Sequence, residues 1–249
     1  MTFDPRSYTP RENLLADRII LVTGAGDGIG RAAATRFAEL GARVILLGRT
    51  VSKLESVYDE IIDAGHLRPS IAPMDFEKAD GDAYTSLADS VAEEFGRLDG
   101  LLHNAGILGE LAPIEHYDVA LWQRVLHVNL TAEFVLTKVC LPLLRQSEDG
   151  SVVFTSSGVG REGRAYWGAY AVSKFGVEGL SQVLARETEK AGIRVNCVNP
   201  GATRTDMRLK AYPAEDRSKL AGPGEVLAPH IYLLGPDSRG VTGGSFDAQ

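Results

Sequence analysis

The feature that most constrains this chain is a regular alternation of short apolar runs with segments of helical periodicity. The runs are rich in Val, Ile and Leu, and several are followed within a few residues by glycine. Strands that are apolar on both faces belong to parallel sheets, in which helices form the crossovers between strands. The predicted strands are residues 18–23, 43–47, 70–74, 98–104, 151–157, 193–198 and 241–247, and the predicted helices are residues 28–40, 51–64, 80–95, 118–145, 168–191 and 224–234.

This alternation predicts an α/β fold with one doubly wound parallel sheet of about seven strands and helices on both faces. A chain of 249 residues has the length of one or two domains. We find no internal repeat, low-complexity tract or linker. We therefore predict a single domain over residues 1–249, in which residues 1–17 form an N-terminal extension.

Composition and charge exclude several classes of protein. The chain is 44% hydrophobic and 24% charged, which is ordinary for a globular protein, and its net charge of −7 argues against nonspecific nucleic-acid binding. Residues 1–17 lack the apolar region of a signal peptide, and no later run approaches the ~18 apolar residues of a membrane span. Cys140 and Cys197 lie in apolar surroundings without the spacing of a metal site, so we expect reduced core residues. The chain is predicted to be cytoplasmic.

The first predicted strand runs into a glycine-rich turn at the start of the first predicted helix. Gly24, Gly28 and Gly30 have the spacing G-x3-G-x-G. Glycines let the backbone approach a phosphate closely, and the free amides of a helix N-terminus bind the pyrophosphate of a dinucleotide. Alone, the turn is as compatible with a tight structural turn as with a dinucleotide site.

A second group of polar residues follows the fifth predicted strand. Ser157 ends that strand, and Tyr170 and Lys174 lie four residues apart on one face of the next helix. A cation beside a phenol favours the phenolate, so such a tyrosine can exchange a proton with a substrate oxygen near neutral pH. Tyr-x3-Lys alone is more often an ordinary surface pair of a helix. Its occurrence together with the glycine-rich turn in one chain favours a catalytic role.

Together these motifs resemble those of the short-chain dehydrogenase/reductase family over nearly the whole chain. The motifs are Thr23-Gly24-x3-Gly28-x-Gly30, Asn104-Ala105-Gly106, Asn129, Ser157, Tyr170-x3-Lys174 and Asn199-Pro200-Gly201. Within the family the chain is most similar to the uncharacterised bacterial YciK-like oxidoreductases. The shared phrases there are His103-Asn104-Ala105-Gly106, Val153-Phe154-Thr155-Ser156-Ser157 and Ser245-Phe246-Asp247-Ala248-Gln249. The chain departs from the wider family at His103, where an asparagine is usual, and at Gln249, where relatives tend to continue.

The resemblance implies a Rossmann-type fold and hydride transfer between a nicotinamide and the carbonyl or alcohol carbon of a small molecule. In that reaction Tyr170 would donate or accept the proton, and Ser157 would hydrogen-bond the reacting oxygen. Lys174 would favour the phenolate form of Tyr170 and hydrogen-bond the nicotinamide ribose. Asn129 would kink its helix and hold a water that leads protons to the lysine; the alternative is a buried amide that satisfies backbone groups. No metal is called for.

The resemblance also implies a set of cofactor contacts at the ends of the strands. Asn104 would brace the central strands, Asp75 would contact the adenine, and Pro200 would shape the loop beneath the nicotinamide. The alternatives are that Asn104 is a polar strand cap, that Asp75 is a solvated loop carboxylate and that Pro200 belongs to a plain turn. The implied cofactor residues are Gly24, Gly28, Ile29, Gly30, Arg49, Asp75, Asn104, Gly106, Tyr170, Lys174, Pro200, Gly201, Thr203 and Thr205.

The end of the second strand indicates NADP(H) rather than NAD(H). Enzymes that use NAD place an Asp or Glu here to bond the ribose 2′-hydroxyl, whereas this chain has Gly48-Arg49-Thr50. Arg49 can bind a 2′-phosphate with two parallel hydrogen bonds, and the alternative is a solvated turn residue. Asp27, inside the glycine turn, opposes this preference, since an acid there would repel the phosphate.

Two questions about function stay open. A catalytically silent dinucleotide-binding regulator or interaction protein is the alternative to an enzyme, although silent family members usually lose the tyrosine or the lysine. The substrate is not specified. An anionic substrate is allowed by cations at the expected pocket mouth, with solvated surface arginines as the alternative. These cations are Arg161 and Arg164, between Ser157 and Tyr170, and Arg204, Arg208 and Lys210, after the Pro-Gly loop. We also expect a homodimer or homotetramer, because the helices carrying Phe134 and Phe175 have apolar residues outside one stripe, Val177 among them.

Overall fold

The computed structural model describes residues 4–249, and its centre is a sheet of seven parallel strands. The strand order is β3-β2-β1-β4-β5-β6-β7. This confirms the doubly wound parallel sheet that the alternation predicts. The strands are β1 Ile19–Thr23, β2 Arg43–Gly48, β3 Ser70–Pro73, β4 Gly100–His103, β5 Ser151–Thr155, β6 Arg194–Asn199 and β7 Ser245–Asp247.

Helices cover both faces of the sheet and form two hydrophobic cores. Successive residues of β1 point to opposite faces, so Ile20 belongs to one core and Leu21 to the other. Phe37 packs in the first core, and Leu136 packs in the second. The helices are α1 Gly28–Glu39, α2 Val51–Asp63, α3 Gly81–Phe95, α4 Val119–Leu126, α5 Ala132–Leu144, α6 Gly168–Thr188, α7 Asp206–Ala211 and α8 Ala228–Leu234.

The strand order reverses direction between β1 and β4, and this places the site. The chain runs outward from β1 to β2 and β3, then returns to the other side of β1 with β4. At such a switch point the loops after neighbouring strands diverge and leave a crevice at their carboxyl ends, where ligands of doubly wound sheets bind. The crevice opens here after β1 and β4.

The long helix predicted over residues 118–145 is divided by a π-helical turn. The turn spans His127–Thr131 between α4 and α5, and the fully buried Asn129 lies at its centre. The kink implied at Asn129 therefore takes the form of a π turn, which is common at functional sites. Apolar periodicity alone does not show the break, since it continues through both helices.

The same stretch, Val119–Leu144, is long and apolar enough by length and composition to cross a membrane, with a mean hydropathy of 1.2. This differs from the expectation that no run approaches that length. Leu136 and Cys140 of this stretch are buried in the second core of the sheet. A buried helix of this kind passes the same test of length and composition, because its apolar residues face a protein interior rather than lipid.

Three further expectations are met or corrected. Cys140 and Cys197 are buried free thiols in the core, as expected. Phe134 and Phe175 are 49% and 46% exposed, but Val177 is buried in the core and offers no second apolar face. The segment after Pro200, for which no element was predicted, contains the short helix α7.

Candidate active site

The carboxyl ends of the strands enclose one large cleft of about 620 Å³. Two ends of the cleft are distinguished below: the glycine end, around the turn after β1, and the tyrosine end, around Tyr170. Gly30 and Asn129 lie behind the wall of the cleft. All the other predicted site residues line it: Gly24, Gly28, Ile29, Arg49, Asp75, Asn104, Gly106, Ser157, Tyr170, Lys174, Pro200, Gly201, Thr203 and Thr205.

At the glycine end, the turn after β1 is formed by close backbone packing. Gly24 and Gly28 have φ angles of +67° and +51°, a region that favours glycine. A Cβ on Gly30 would lie 2.2 Å from the carbonyl oxygen of Gly24 and 2.5 Å from Nδ2 of Asn104. Asn104 in turn donates from its backbone N–H to Oγ1 of Thr23, at 2.9 Å. Gly30 therefore serves the packing of the turn, whereas Gly24 and Gly28 face the cleft.

Asp27, the acid within the turn, is held by two partners. Its carboxylate accepts a hydrogen bond from the backbone N–H of Gly28 at the start of α1, at 2.8 Å, and pairs with the ammonium of Lys53 on α2. The hydrogen bond from Lys53 is the main cause that lowers the pKa of Asp27. The acid is thus a helix cap whose charge is offset by a cation that also lines the cleft.

Arg49, at the end of β2, points to solvent beside the cleft. Its side chain is 61% exposed, and Nη1 lies 3.6 Å from Oε1 of Glu77. The same oxygen accepts a shorter hydrogen bond from Arg124, at 2.8 Å. Because Glu77 already has the closer partner, Arg49 has only a loose, exposed ion pair, which contributes little to stability.

Asp75 lies after β3, where the sheet ends. Its Oδ1 accepts the backbone N–H of Glu77 at 3.1 Å, so one oxygen shapes the loop. The adjacent Phe76 also lines the cleft. The other oxygen, Oδ2, lies 3.8 Å from Nζ of the exposed Lys78, a loose ion pair that leaves it accessible to a ligand.

At the tyrosine end, three predicted residues from two neighbouring elements face the same cleft. Ser157 follows β5, and Tyr170 and Lys174 lie one turn apart near the start of α6. Lys174 is 3% exposed and donates a hydrogen bond from Nζ to the carbonyl oxygen of Thr155, at 2.7 Å. A Cβ on Gly160 would lie 2.8 Å from Cβ of Lys174, so the loop after Ser157 packs directly on α6.

The side chain of Asn129 is fully engaged with protein groups. Its Oδ1 accepts the backbone N–H of Ile107 at 2.8 Å, and Nδ2 donates to the carbonyl oxygen of Ile107 at 2.9 Å and to Oγ of Ser173 at 3.2 Å. The amide thus ties the π turn to the loop after β4 and to α6. The side chain therefore satisfies the backbone groups of Ile107, and the proton-relay role of Asn129 stays a prediction.

The loop after β6 closes the cleft from the other side. The hydroxyl of Thr203 donates to the carbonyl oxygen of Pro200 at 3.3 Å, and Oγ1 of Thr205 caps α7 by accepting the N–H of Arg208 at 3.2 Å. A Cβ on Gly28 would lie 3.3 Å from Cγ2 of Thr205, so this loop reaches across to the glycine turn. Both threonine hydroxyls therefore shape the loop.

An aromatic and apolar wall stands beside Tyr170, and the sequence does not predict it. The ring of Trp167 lies 5.6 Å from that of Tyr170 and 6.0 Å from that of Tyr212. Met207 and Ala211, one turn apart on α7, pack against the same cluster. The pair Met207 and Ala211 is a short helical signal, but a helix of six residues is too brief to recognise by periodicity.

The cations near this wall differ in their availability. Arg208 lies over the ring of Tyr212 at 4.0 Å and forms two hydrogen bonds of 2.6 Å with the carboxylate of Glu215. Lys210 also lines the cleft and forms no ion pair with any of the residues that the structure describes. Of these two cations, only Lys210 has its charge free.

Comparison with known proteins places these features in a family. The sequence profile described as short chain dehydrogenase matches residues 18–216. The uncharacterized oxidoreductase YciK of Escherichia coli K12 is 50% identical over 242 residues, which cover 97% of this chain and 96% of that protein. The cis-4-hydroxycyclohexanecarboxylate dehydrogenase of Sinomonas cyclohexanicum is 36% identical over 237 residues, 92% of this chain and 93% of that protein.

A solved structure agrees with the sequence comparison. A short chain dehydrogenase from Shigella flexneri 2a, crystallised with NADP, superposes with a TM-score of 0.94 at 49% identity. The alignment covers 96% of this chain and 100% of that protein.

Proposed function

Because the chain belongs to the short-chain dehydrogenase family, we propose that it is an NADP(H)-dependent oxidoreductase that interconverts an apolar carbonyl compound and its alcohol. The observation that carries the proposal is the convergence of Ser157, Tyr170 and Lys174 on a cleft whose other end is the glycine turn. A silent dinucleotide-binding regulator would need neither a buried lysine beside the phenol nor a cavity in front of it.

In the proposed reaction the protein supplies a proton and positions the reacting oxygen. Tyr170 donates its phenolic proton to the carbonyl oxygen in reduction and recovers it in oxidation, while Ser157 hydrogen-bonds the charge developing there. Lys174, anchored on Thr155, holds a positive charge beside the phenol and stabilises the phenolate. Asn129 supports the π turn behind Lys174, and a water at that turn would lead protons to the lysine.

The residues of the glycine end fit a dinucleotide. The nicotinamide, when bound, supplies or accepts the hydride. Gly24, Gly28 and Ile29 would face the pyrophosphate, where added side chains would block close approach. Gly30 would act by keeping the turn packed. Asp75 is proposed to contact the adenine, and Asn104 and Gly106 to lie beside the cofactor at the end of the central strands. The residues proposed to surround the nicotinamide are Pro200, Gly201, Thr203 and Thr205.

Three features support NADP(H) over NAD(H). Arg49 is exposed at the cleft with only a loose partner, so its guanidinium is free to turn to a 2′-phosphate. Lys53 offsets the charge of Asp27, which removes the repulsion that opposes this choice. The Shigella relative was crystallised with NADP.

The substrate end of the proposal rests on the wall beside Tyr170. Trp167, Met207 and Ala211 offer an apolar surface to whatever enters from the solvent side. Arg208 is already paired with Glu215, so of these two cations Lys210 is the one available to bind a substrate carboxylate. The Sinomonas relative is named for the dehydrogenation of a cyclohexane ring alcohol that carries a carboxylate. We therefore propose a cyclic or aromatic ketone, with Lys210 able to meet a carboxylate.

Measured turnover tests the proposal. NADPH consumption should be followed with cyclohexanone, 4-oxocyclohexanecarboxylate, a quinone and an aldehyde, with NADH as the comparison cofactor. We expect turnover of at least one ring ketone and preference for NADPH. Tight NADPH binding with no turnover across the panel would favour the silent regulator.

We also propose a homodimer that covers the exposed aromatic residues. Phe134 on α5 and Phe175 on α6 are about half exposed, and Val172 and Val183 are also exposed on α6. Light scattering at micromolar concentration tests this, and a monomer mass would contradict it.

A further inference from the structure

Glu133, on the first turn of α5, is a carboxyl group in the core of the protein. It is 1% exposed, and neither carboxyl oxygen receives a hydrogen bond from any group that the structure describes. The adjacent Ala132, and Leu136 one turn further on, belong to the second hydrophobic core. An apolar side chain would fill this position at lower cost, because a buried carboxylate without hydrogen bonds is destabilising.

The nearest charge to this carboxyl is the ammonium of Lys174. Oε1 of Glu133 lies 3.9 Å from Nζ of Lys174, beyond hydrogen-bond distance but close enough for a strong electrostatic interaction in the interior. Lys174 has three donor hydrogens, and one is donated to the carbonyl oxygen of Thr155. Lys174 therefore lines the cleft, as Tyr170 does, and also lies close to Glu133 in the core.

The other titratable groups around Glu133 are neutral. Thr137 donates its hydroxyl proton to the backbone carbonyl of Glu133, so it accepts the proton on Nε2 of His103, 2.8 Å away. Burial lowers the pKa of His103 to about 3, which keeps the ring uncharged. On β6, burial raises the pKa of Cys197 to about 12, so its thiol is protonated. Lys174 is the one charged group that acts on Glu133 in the described part of the chain.

We propose that Glu133 is a positioning residue that sets, through the ammonium of Lys174, the pH range over which Tyr170 exchanges its proton. The inference rests on the role proposed for Tyr170. When Glu133 is ionised, its charge offsets that of Lys174 and disfavours the phenolate; when it is protonated, Lys174 acts on the phenol undiminished. Burial raises the pKa of Glu133 to about 8, so the change of state falls within the working range of an enzyme.

Replacement of Glu133 by glutamine tests the proposal, since it keeps the shape and removes the titration. The pH midpoint of kcat/KM for alcohol oxidation should fall by about one unit, the size expected for one buried charge at the effective dielectric constant of a protein interior. Glu133→Val should give the same shift and serves if the glutamine variant folds poorly. An unchanged midpoint in both variants would overturn the proposal.

A matched control is available one turn from Lys174. Glu178 is also a buried carboxylate, but it accepts hydrogen bonds from Ser156 and Ser245, at 2.5 and 2.9 Å, and pairs with Arg161. Glu178→Gln removes a buried carboxylate that forms no ion pair with Lys174 in the described residues. It should lower stability and leave the pH midpoint in place. An equal shift in this variant would mean that the effect is general and would contradict the role of Glu133.

A titration without substrate separates this inference from the proposed function. The ultraviolet absorbance of tyrosinate should be followed against pH in the protein and in Tyr170→Phe, and the difference assigns the ionisation of Tyr170. The same pair on the Glu133→Gln background should show ionisation at lower pH. Absence of turnover with every substrate would count against the proposed function, whereas coincident tyrosinate curves would count against Glu133.

Discussion

The glycine end and the tyrosine end of the cleft hold their proposed functional residues by different means. At the glycine end the backbone does the positioning, since Gly30 leaves no space between Gly24 and Asn104. The charged side chains there, Arg49 and Lys53, are 61% and 52% exposed. At the tyrosine end Tyr170 and Lys174 are buried, and Lys174 is held in the interior by a hydrogen bond to the carbonyl oxygen of Thr155.

Because of this difference, substitutions of side chains at the two ends should affect the stability of the fold to different degrees. An exposed ion pair is worth little to stability, so a charge at the glycine end can be exchanged with an effect on binding alone. A buried polar group that loses its partner costs the full desolvation of that partner, so changes at the tyrosine end affect both chemistry and folding. The predictions below test this separation.

Tyr170→Phe should have the largest effect on turnover and the smallest on binding. The change removes the proton donor and leaves the ring in contact with Trp167, so kcat should fall about 10³-fold or more while the Kd for NADPH stays nearly constant. Lys174→Ala should impair both, because the lysine is proposed to bond the ribose as well as to act on the phenol. Equal losses of cofactor affinity in the two variants, measured by fluorescence titration, would contradict these roles.

Gly30→Ala should break the glycine end through the backbone. The added Cβ would meet the carbonyl of Gly24 at 2.2 Å, and that carbonyl cannot move without the turn. We expect the free energy of unfolding to fall by about 3 kcal/mol and NADPH affinity to fall with it. Gly81→Ala is the matched control in the first turn of α3, where a Cβ meets nothing within 4 Å. Thermal unfolding of both variants checks the difference, and equal stability would remove the packing role of Gly30.

The sequence predicted most of the cleft because strand ends and glycine spacing are local signals. A parallel sheet brings the carboxyl ends of its strands to one edge, so residues such as Asn104 and Ser157 meet there once the strands are assigned. Gly30 and Asn129 were assigned to the site itself, but the structure places them behind the wall of the cleft. Motif spacing predicts which residues belong to a site without showing whether their side chains line the cleft.

The remaining features depend on contacts between residues far apart in the chain. A glutamate in a helix normally faces solvent, and the burial of Glu133 follows only from the packing of α5 against the sheet and α6. Asp27 was expected to repel a 2′-phosphate, and its offsetting partner Lys53 lies on a different helix. The wall around Trp167 forms when α7 folds over the cleft, a segment without periodic pattern in the sequence.

Arg49→Ala should affect binding without affecting the fold. Loss of the guanidinium should raise the KM for NADPH by about 10- to 100-fold, the range of a charge-assisted hydrogen-bonded pair, and leave the KM for NADH nearly unchanged. Thermal stability should not change, since the pair with Glu77 is long and exposed. Arg31→Ala, which removes an exposed ion pair with Glu60 outside the cleft, is the control. An unchanged ratio of the two KM values would show that Arg49 plays no part in the choice.

The smallest expected effect is the loss of stability at acid pH caused by His103. This residue is fully buried, like Lys174 at the tyrosine end, so the test sharpens the contrast with the exposed charges of the glycine end. Burial lowers the pKa of His103 from 6.5 to about 3, so the folded protein holds the ring neutral while the unfolded chain can protonate it. The stability that this group contributes is present above pH 6.5 and is lost as the pH falls toward 3. Between pH 7 and about pH 5.5 the loss should be about 1 kcal/mol.

In the variant His103→Asn, the free energy of unfolding should fall less steeply between pH 7 and about pH 5.5, whatever the absolute stability of the variant. Urea unfolding at a series of pH values measures the slope, and the exposed His116, replaced in the same way, should leave it unchanged. His230 is buried in α8 with its pKa lowered to about 4, so His230→Asn should reduce the slope as well. If His103→Asn kept the full slope while His230→Asn removed it, His103 would be protonated in the folded state, and Lys174 would then have a second cation near it.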